Sequence, residues 1–444
     1  MRRARARGFT LVELMVSLVA GLLVALAVFA ISKDATATFH EEARTATAEM
    51  SLRVAAERVR NDVARAGFLS TPNIWVDHDL AYNVNNLRVS PGAPIGMQTL
   101  QGLRLIPRDA SVAPLTGANP EIVNQGGLVG IELTGNMTST DIYAVRSIVP
   151  GGGCGGYQIT LQADSPSMWR VMSSPDPQET LRGIFQPVQQ VQFLVRVEDL
   201  MGKSQYVQMC ANNPVSIVGN GVAAVVTVDV ASGGATQLLD ASQTNGNGGS
   251  QGQCTGCVIN PVHTVRYEVR KLAPMQNTSD GPYQTMQPTV GLGATNKYDL
   301  VRSYRDLDGN QVGTTEVVAE YAVDLSIALS ADLNPGNTQL RPLTVYTFPD
   351  PQNMLIAGPV TPVGGVARPE RLRSARIRVS TRAAIADRTA DLIAPAANPV
   401  QGLYPLRYCL TDTGCIPGSP HWARMRSMIT EVSLPNHAKS FDGP

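Results

Sequence analysis

GFTLVELMVSLVAGLLVALAVFAI, residues 8–31, decides how the rest of the chain is read. From Phe9 to Ile31 there are twenty-three residues and one charge, Glu13. As a helix the run spans roughly 34 Å, enough to cross a hydrocarbon core of about 30 Å. Arg2, Arg3, Arg5 and Arg7 precede it. Basic flanks stay in the cytoplasm, so the chain after Ile31 is expected outside it. A secretory signal peptide has the same basic start, and Ala25-Leu26-Ala27 offers a cleavage site. The apolar run nevertheless exceeds the usual h-region of about 7–15 residues. A carboxylate inside it is costly, and a disposable segment has no reason to carry that cost.

Gly8, Phe9, Thr10, Leu11, Val12 and Glu13, followed by the uninterrupted apolar helix, resemble a type IV prepilin leader. The resemblance implies that a prepilin peptidase cuts between Gly8 and Phe9 and methylates the new amino terminus at Phe9. Glu13 then becomes the fifth mature residue. In a filament the Glu13 of one subunit meets the Phe9 amine of a neighbour, and pairing opposite charges in a low dielectric relieves the cost of each alone. The simpler account of Glu13 is a helix-start charge favoured by the macrodipole.

Residues 32–67 contain no proline, and their only glycine is Gly67, placed to end a helix. Phe39, Ala43, Ala46, Met50, Val54, Val59, Val63 and Ala66 recur at spacings of three to five, which reads as one apolar stripe. One helix is therefore expected from Phe9 to about Ala66, apolar all round at first and amphipathic later. RNDVARAGF (60–68) resembles the helix end of PilW-type minor pilins.

After Phe68 short runs rich in Val, Ile, Tyr and Thr alternate with Gly, Pro and Asn clusters. LVGIEL (128–133), DIYAVRSIV (141–149), VQFLVRV (191–197), AAVVTVDV (223–230), TVRYEVR (264–270), AVDLSIAL (322–329) and SARIRVSTR (374–382) read as strands. The expected fold class is α+β, pilin-like. A long N-terminal helix carries a large antiparallel β-rich head, arranged as two abutting sheets. The expected segments are a leader (1–8), a transmembrane or filament-core helix (9–31), its amphipathic continuation (32–67) and the head (68–444). A sub-domain boundary near 185–260 is weakly marked. ASQTNGNGGSQGQCTGC (241–257) is low in complexity. TVRYEVRKL, EVVAEYAVDLSIALS, PERLRSARIRVSTRAA and MITEVSLPN follow the order of the PilW family, whereas residues 70–260 resemble nothing nameable.

The 36 basic and 36 acidic residues cancel, and without the leader arginines the balance is 32 to 36. Neutrality and an aromatic share of 5% argue against nucleic-acid binding by the head. The six cysteines allow 15 pairings. Cys254-Thr-Gly-Cys257 has redox spacing, but a glycine-rich loop precedes it and no βαβ pattern surrounds it, so a structural disulfide is expected. Cys409 and Cys415 lie too far apart for a zinc pair of the usual spacing. They close a short LTDTG loop that resembles the C-terminal disulfide loop of pilins, and Cys154 with Cys210 would complete the set. Asp306-Leu-Asp308-Gly309-Asn310 fits a hairpin turn better than a calcium loop, its glycine being fourth and not sixth. Gly151-Gly152-Gly153-Cys154-Gly155-Gly156 lacks the Lys-Ser/Thr of a phosphate loop.

The family resemblance implies a minor pilin of a type IV pilus, not an enzyme and without cofactor or metal. It implies insertion in the inner membrane with a periplasmic head, then a place in the extracellular pilus near its tip. The implied partners are prepilin peptidase, the major pilin, other minor pilins and a PilY-type adhesin. The alternatives are a minor pseudopilin of type II secretion and, from another class, a membrane-tethered thiol oxidoreductase using Cys254 and Cys257.

Overall fold

Helix α1 runs over Leu11–Ala64, 54 residues without a proline, in this computed structural model. The structure describes residues 10–80, 94–107, 128–151, 153–200, 202–219, 221, 224–231, 256–272, 280, 286, 297–332, 343–347, 369–386, 407–411 and 421–437. The chain divides into two units, Met1–Ser51 and Leu52–Pro444. In the first unit α1 is apolar enough to cross a membrane over Leu11–Thr36, and none of that span is buried.

In the second unit the last turns of α1 enter a hydrophobic core. Leu52, Ala55, Val59, Val63 and Ala66 are buried there. The expected single stripe does not hold: Val54 is 63% exposed, and Met50, in the first unit, is 71% exposed. The reason is the step of five from Val54 to Val59. At 3.6 residues per turn it advances the helix by about 140°, onto another face. The residues that continue the core face backwards from Val59 are Ala55 and Leu52. Gly67 ends the helix at φ +72°, a left-handed conformation that costs glycine little.

The helical turn α2 (Ile95–Gln98) and strands β1 (Leu103–Pro107), β2 (Leu128–Gly135), β3 (Tyr143–Pro150) and β4 (Tyr157–Leu161) follow. Two short helices come next, α3 (Pro166–Met172) and α4 (Pro177–Phe185). Each begins with proline after a side-chain cap, Ser165 for α3 and Asp176 for α4. The chain continues through β5 (Leu194–Glu198), β6 (Ser204–Gln208), β7 (Val215–Val218), β8 (Val225–Val230), β9 (Val258–Arg270), β10 (Asp299–Arg305) and β11 (Gln311–Ala319). These eleven strands make one sheet with the path β1-β2-β9-β3-β4-β8-β7. The 13-residue β9 is its spine: its first half pairs with β3 and β5, its second half with β2 and β10.

Asp306–Asn310 forms the turn of the β10–β11 hairpin, with Asp306 accepting the N–H groups of Asp308 and Asn310. The chain then crosses at Tyr321 (φ +53°) into a second, five-stranded sheet. Its strands are β12 (Ala322–Asp332), β13 (Leu343–Thr347), β14 (Leu372–Arg382), β15 (Arg407–Cys409) and β16 (Trp422–Ser433), in the order β13-β12-β14-β16-β15. Cations braid with rings at the crossing. Lys297 and Arg382 both sit over Tyr321, and Arg382 also lies over Tyr408.

The core that receives α1 is lined by β1, β2, β9 and β10 of the first sheet and by β12, β14 and β16 of the second. A separate core gathers β3, β4, β5 and β8 under α3 and α4. The edge strand β7 is plugged by Gln178, whose amide donates to the Val215 carbonyl and accepts the Ile217 N–H. That side chain occupies the place a foreign strand would take.

Candidate assembly site

Two carboxylates on α1 each make a site of their own, Glu13 in the first unit and Asp62 in the second. Glu13 closes a capping box with Thr10. The Thr10 N–H and hydroxyl each donate to Glu13 Oε2 at 3.0 Å. The Glu13 N–H donates back to Thr10 Oγ1 at 3.3 Å. Ser/Thr followed three residues later by Glu is the sequence signature of this reciprocal cap. It stands in Thr10-Leu-Val-Glu13, and the macrodipole account of Glu13 overlooks it. The carboxylate is thus satisfied within one turn, inside a segment otherwise fit for hydrocarbon. Gly8 and Phe9, the expected cleavage pair, lie outside the described residues.

Asp62 closes the other end, within the second unit. It is buried and accepts the Tyr267 hydroxyl at 2.7 Å and Arg302 Nε at 2.8 Å. Arg302 reaches on to Glu316 at 3.3 Å, and Arg58 meets the same carboxylate at 3.4 Å. Burial first, then the Asp62 charge, push the Tyr267 phenol well above its ordinary value, so it donates as a neutral hydroxyl. The antiparallel register sets Arg302 directly opposite Tyr267 across β10 and β9, so one row of the sheet holds both donors.

The C-terminal end of the helix is held by the far end of the chain. Asn436 Nδ2 donates to the carbonyls of Ala64 (3.1 Å) and Ala66 (3.3 Å), two acceptors that a helix end leaves unpaired. His437 beside it is fully buried. Its Nδ1 donates to the Pro369 carbonyl at 2.7 Å, which fixes the neutral tautomer. Burial is the largest cause that holds this imidazole down at about 4.

Cys154 and Cys210 form a disulfide with 5.8 Å between Cα atoms, tying the glycine-rich β3–β4 turn to the end of β6. Cys257 and Cys409 are also disulfide-bonded and buried. Cys254 and Cys415 lie outside the described residues. Among the described residues no group of His, Cys, Asp and Glu could hold a metal ion.

Residues 3–29 match the family of the prokaryotic N-terminal methylation motif. That span contains Gly8, Phe9, Thr10 and Glu13 and reaches into the apolar run of α1. The match supports a type IV pilin-like prepilin signal of the kind prepilin peptidase processes. No curated protein and no solved structure matches the chain.

Proposed function

We propose that the chain is a minor pilin of a type IV pilus, of the PilW type, and that its work is association and not catalysis. The observation that carries this reading is the methylation motif over residues 3–29, set on a helix that continues to Ala64 into a β-rich domain. The leader stays cytoplasmic, the Leu11–Thr36 span of α1 lies in the inner membrane and the β-rich domain faces the periplasm. Cleavage after Gly8 frees the Phe9 amine, and Glu13 of an adjoining subunit pairs with it. The fully exposed apolar face of Leu11–Thr36 supplies packing area, and the acid supplies register. Other minor pilins, the major pilin and a PilY-type adhesin near the tip are the partners.

Mass spectrometry of the mature amino terminus tests the reading. A methylated Phe9 is the expected result, and cleavage after Ala27 would overturn it. The motif also serves the pseudopilins of type II secretion. Recovery in sheared surface fibres favours the pilus; absence there, with a secretion defect on deletion, favours the pseudopilin.

A further inference from the structure

We propose that Thr10 is the positioning residue for Glu13: it anchors one carboxylate oxygen and leaves the other to accept a neighbouring subunit's amine. The inference rests on the filament reading above. Both Thr10 bonds fall on Oε2. Among the described residues Oε1 accepts no hydrogen bond. A carboxylate has about four lone-pair sites, so two bonds on one oxygen leave room for an ammonium on the other. The Thr10 hydroxyl serves in both directions, since it donates to Oε2 while accepting the Glu13 N–H.

The arrangement survives processing. Cutting between Gly8 and Phe9 spares the Phe9–Thr10 peptide, so the Thr10 N–H remains an amide donor. The new ammonium forms one residue upstream and is presented to another copy. A glutamate left to itself has three rotatable bonds to order on binding, and in α1 the exposed helix surface around it offers no packing to hold them. Thr10 supplies that order beforehand, from a residue already at the helix start.

The test uses the full-length chain in cells that lack their own copy. The readout is the fraction of the cleaved membrane pool that enters sheared fibres, so loss of cleavage or of protein level drops out. Thr10→Val keeps the shape and the backbone N–H but loses the hydroxyl. It should lower that fraction about fivefold, the ratio that corresponds to the stability contributed by one capping side chain. Thr10→Ser keeps the hydroxyl and should restore wild-type incorporation. The unfolding midpoint of the β-rich domain in detergent should not move in either variant. Incorporation of Thr10→Val at the wild-type fraction overturns the inference, as does an equal loss in Thr10→Ser. An uncut Gly8–Phe9 bond in the wild type sinks the filament reading itself. Normal cutting with no Thr10→Val defect sinks only the role given to Thr10.

Discussion

Glu13 and Asp62 are two acids on one helix, and their partners differ in kind. Glu13 finds its donors three residues away, in Thr10. Asp62 finds Tyr267 and Arg302, separated from it by 205 and 240 positions. A local cap forms whenever the helix forms, in any surroundings. A long-range pair forms only when the β-rich domain is folded around it. The first acid is therefore satisfied without being committed, which suits a group that later receives a partner from another chain. The second is committed to one tertiary position and fixes which face of α1 meets the sheets.

Breaking the second pairing gives the largest expected effect. Asp62→Ala leaves the Tyr267 hydroxyl without its acceptor in a buried site and Arg302 with Glu316 alone. Removing one member of such a pair costs about 3–5 kcal/mol. Asp62→Asn keeps an oxygen for Tyr267 and should cost less, about 1–3 kcal/mol. Urea unfolding of the full-length protein in detergent checks both. If Asp62→Ala unfolds at the wild-type midpoint, the pairing does not fix the helix.

Acid attacks the same committed region. His263 and His437 are both buried, and burial holds each near 4 against an ordinary 6.5. The unfolded chain then binds more protons than the folded one in this window. Stability present above about pH 6.5 is lost as pH falls towards 4, by about 3 kcal/mol for each imidazole. Asp324 works the other way, because burial raises its carboxyl above the ordinary 3.8 despite Arg378. His437→Asn can still donate to the Pro369 carbonyl, and it should flatten about half of the acid slope. An unchanged slope would assign the loss elsewhere.

How much of this is legible in the sequence follows the same division. The membrane-length run, the continuous helix and the glycine that ends it are local, and all three can be read from residues 8–67. The β-rich character and the Asp306–Asn310 turn are local too. The face switch between Val54 and Val59 is local as well, since a step of five turns the helix by about 140°, but which of the two faces is buried waits for the core. Helices α3 and α4 left a readable signal in Ser165-Pro166 and Asp176-Pro177-Gln-Glu179, as did the Thr10–Glu13 box. The branching of the sheet around β9 rests on pairings that reach as far as Gly130 with Glu268, and the donors of Asp62 lie 205 and 240 positions away. No spacing rule reaches those. The Cys154–Cys210 bridge is the exception: the sequence offers it as the pair that completes the set, across 56 positions.

Asn436 offers a gentler way to probe commitment. Asn436→Ala removes two hydrogen bonds to the end of α1 and should cost about 1–2 kcal/mol, read as a lowered Tm.

The smallest effect on folding is expected at Glu13, and that is what makes it informative. Glutamine at this position still accepts from the Thr10 N–H and hydroxyl and still completes the box. It lies in the first unit, outside the core that unfolds cooperatively. Glu13→Gln should leave the urea midpoint of the β-rich domain where it was, while the protein fails to enter fibres. A shifted midpoint would mean that Glu13 is committed to the fold after all, like Asp62. Normal entry into fibres would mean that its charge has no partner to meet.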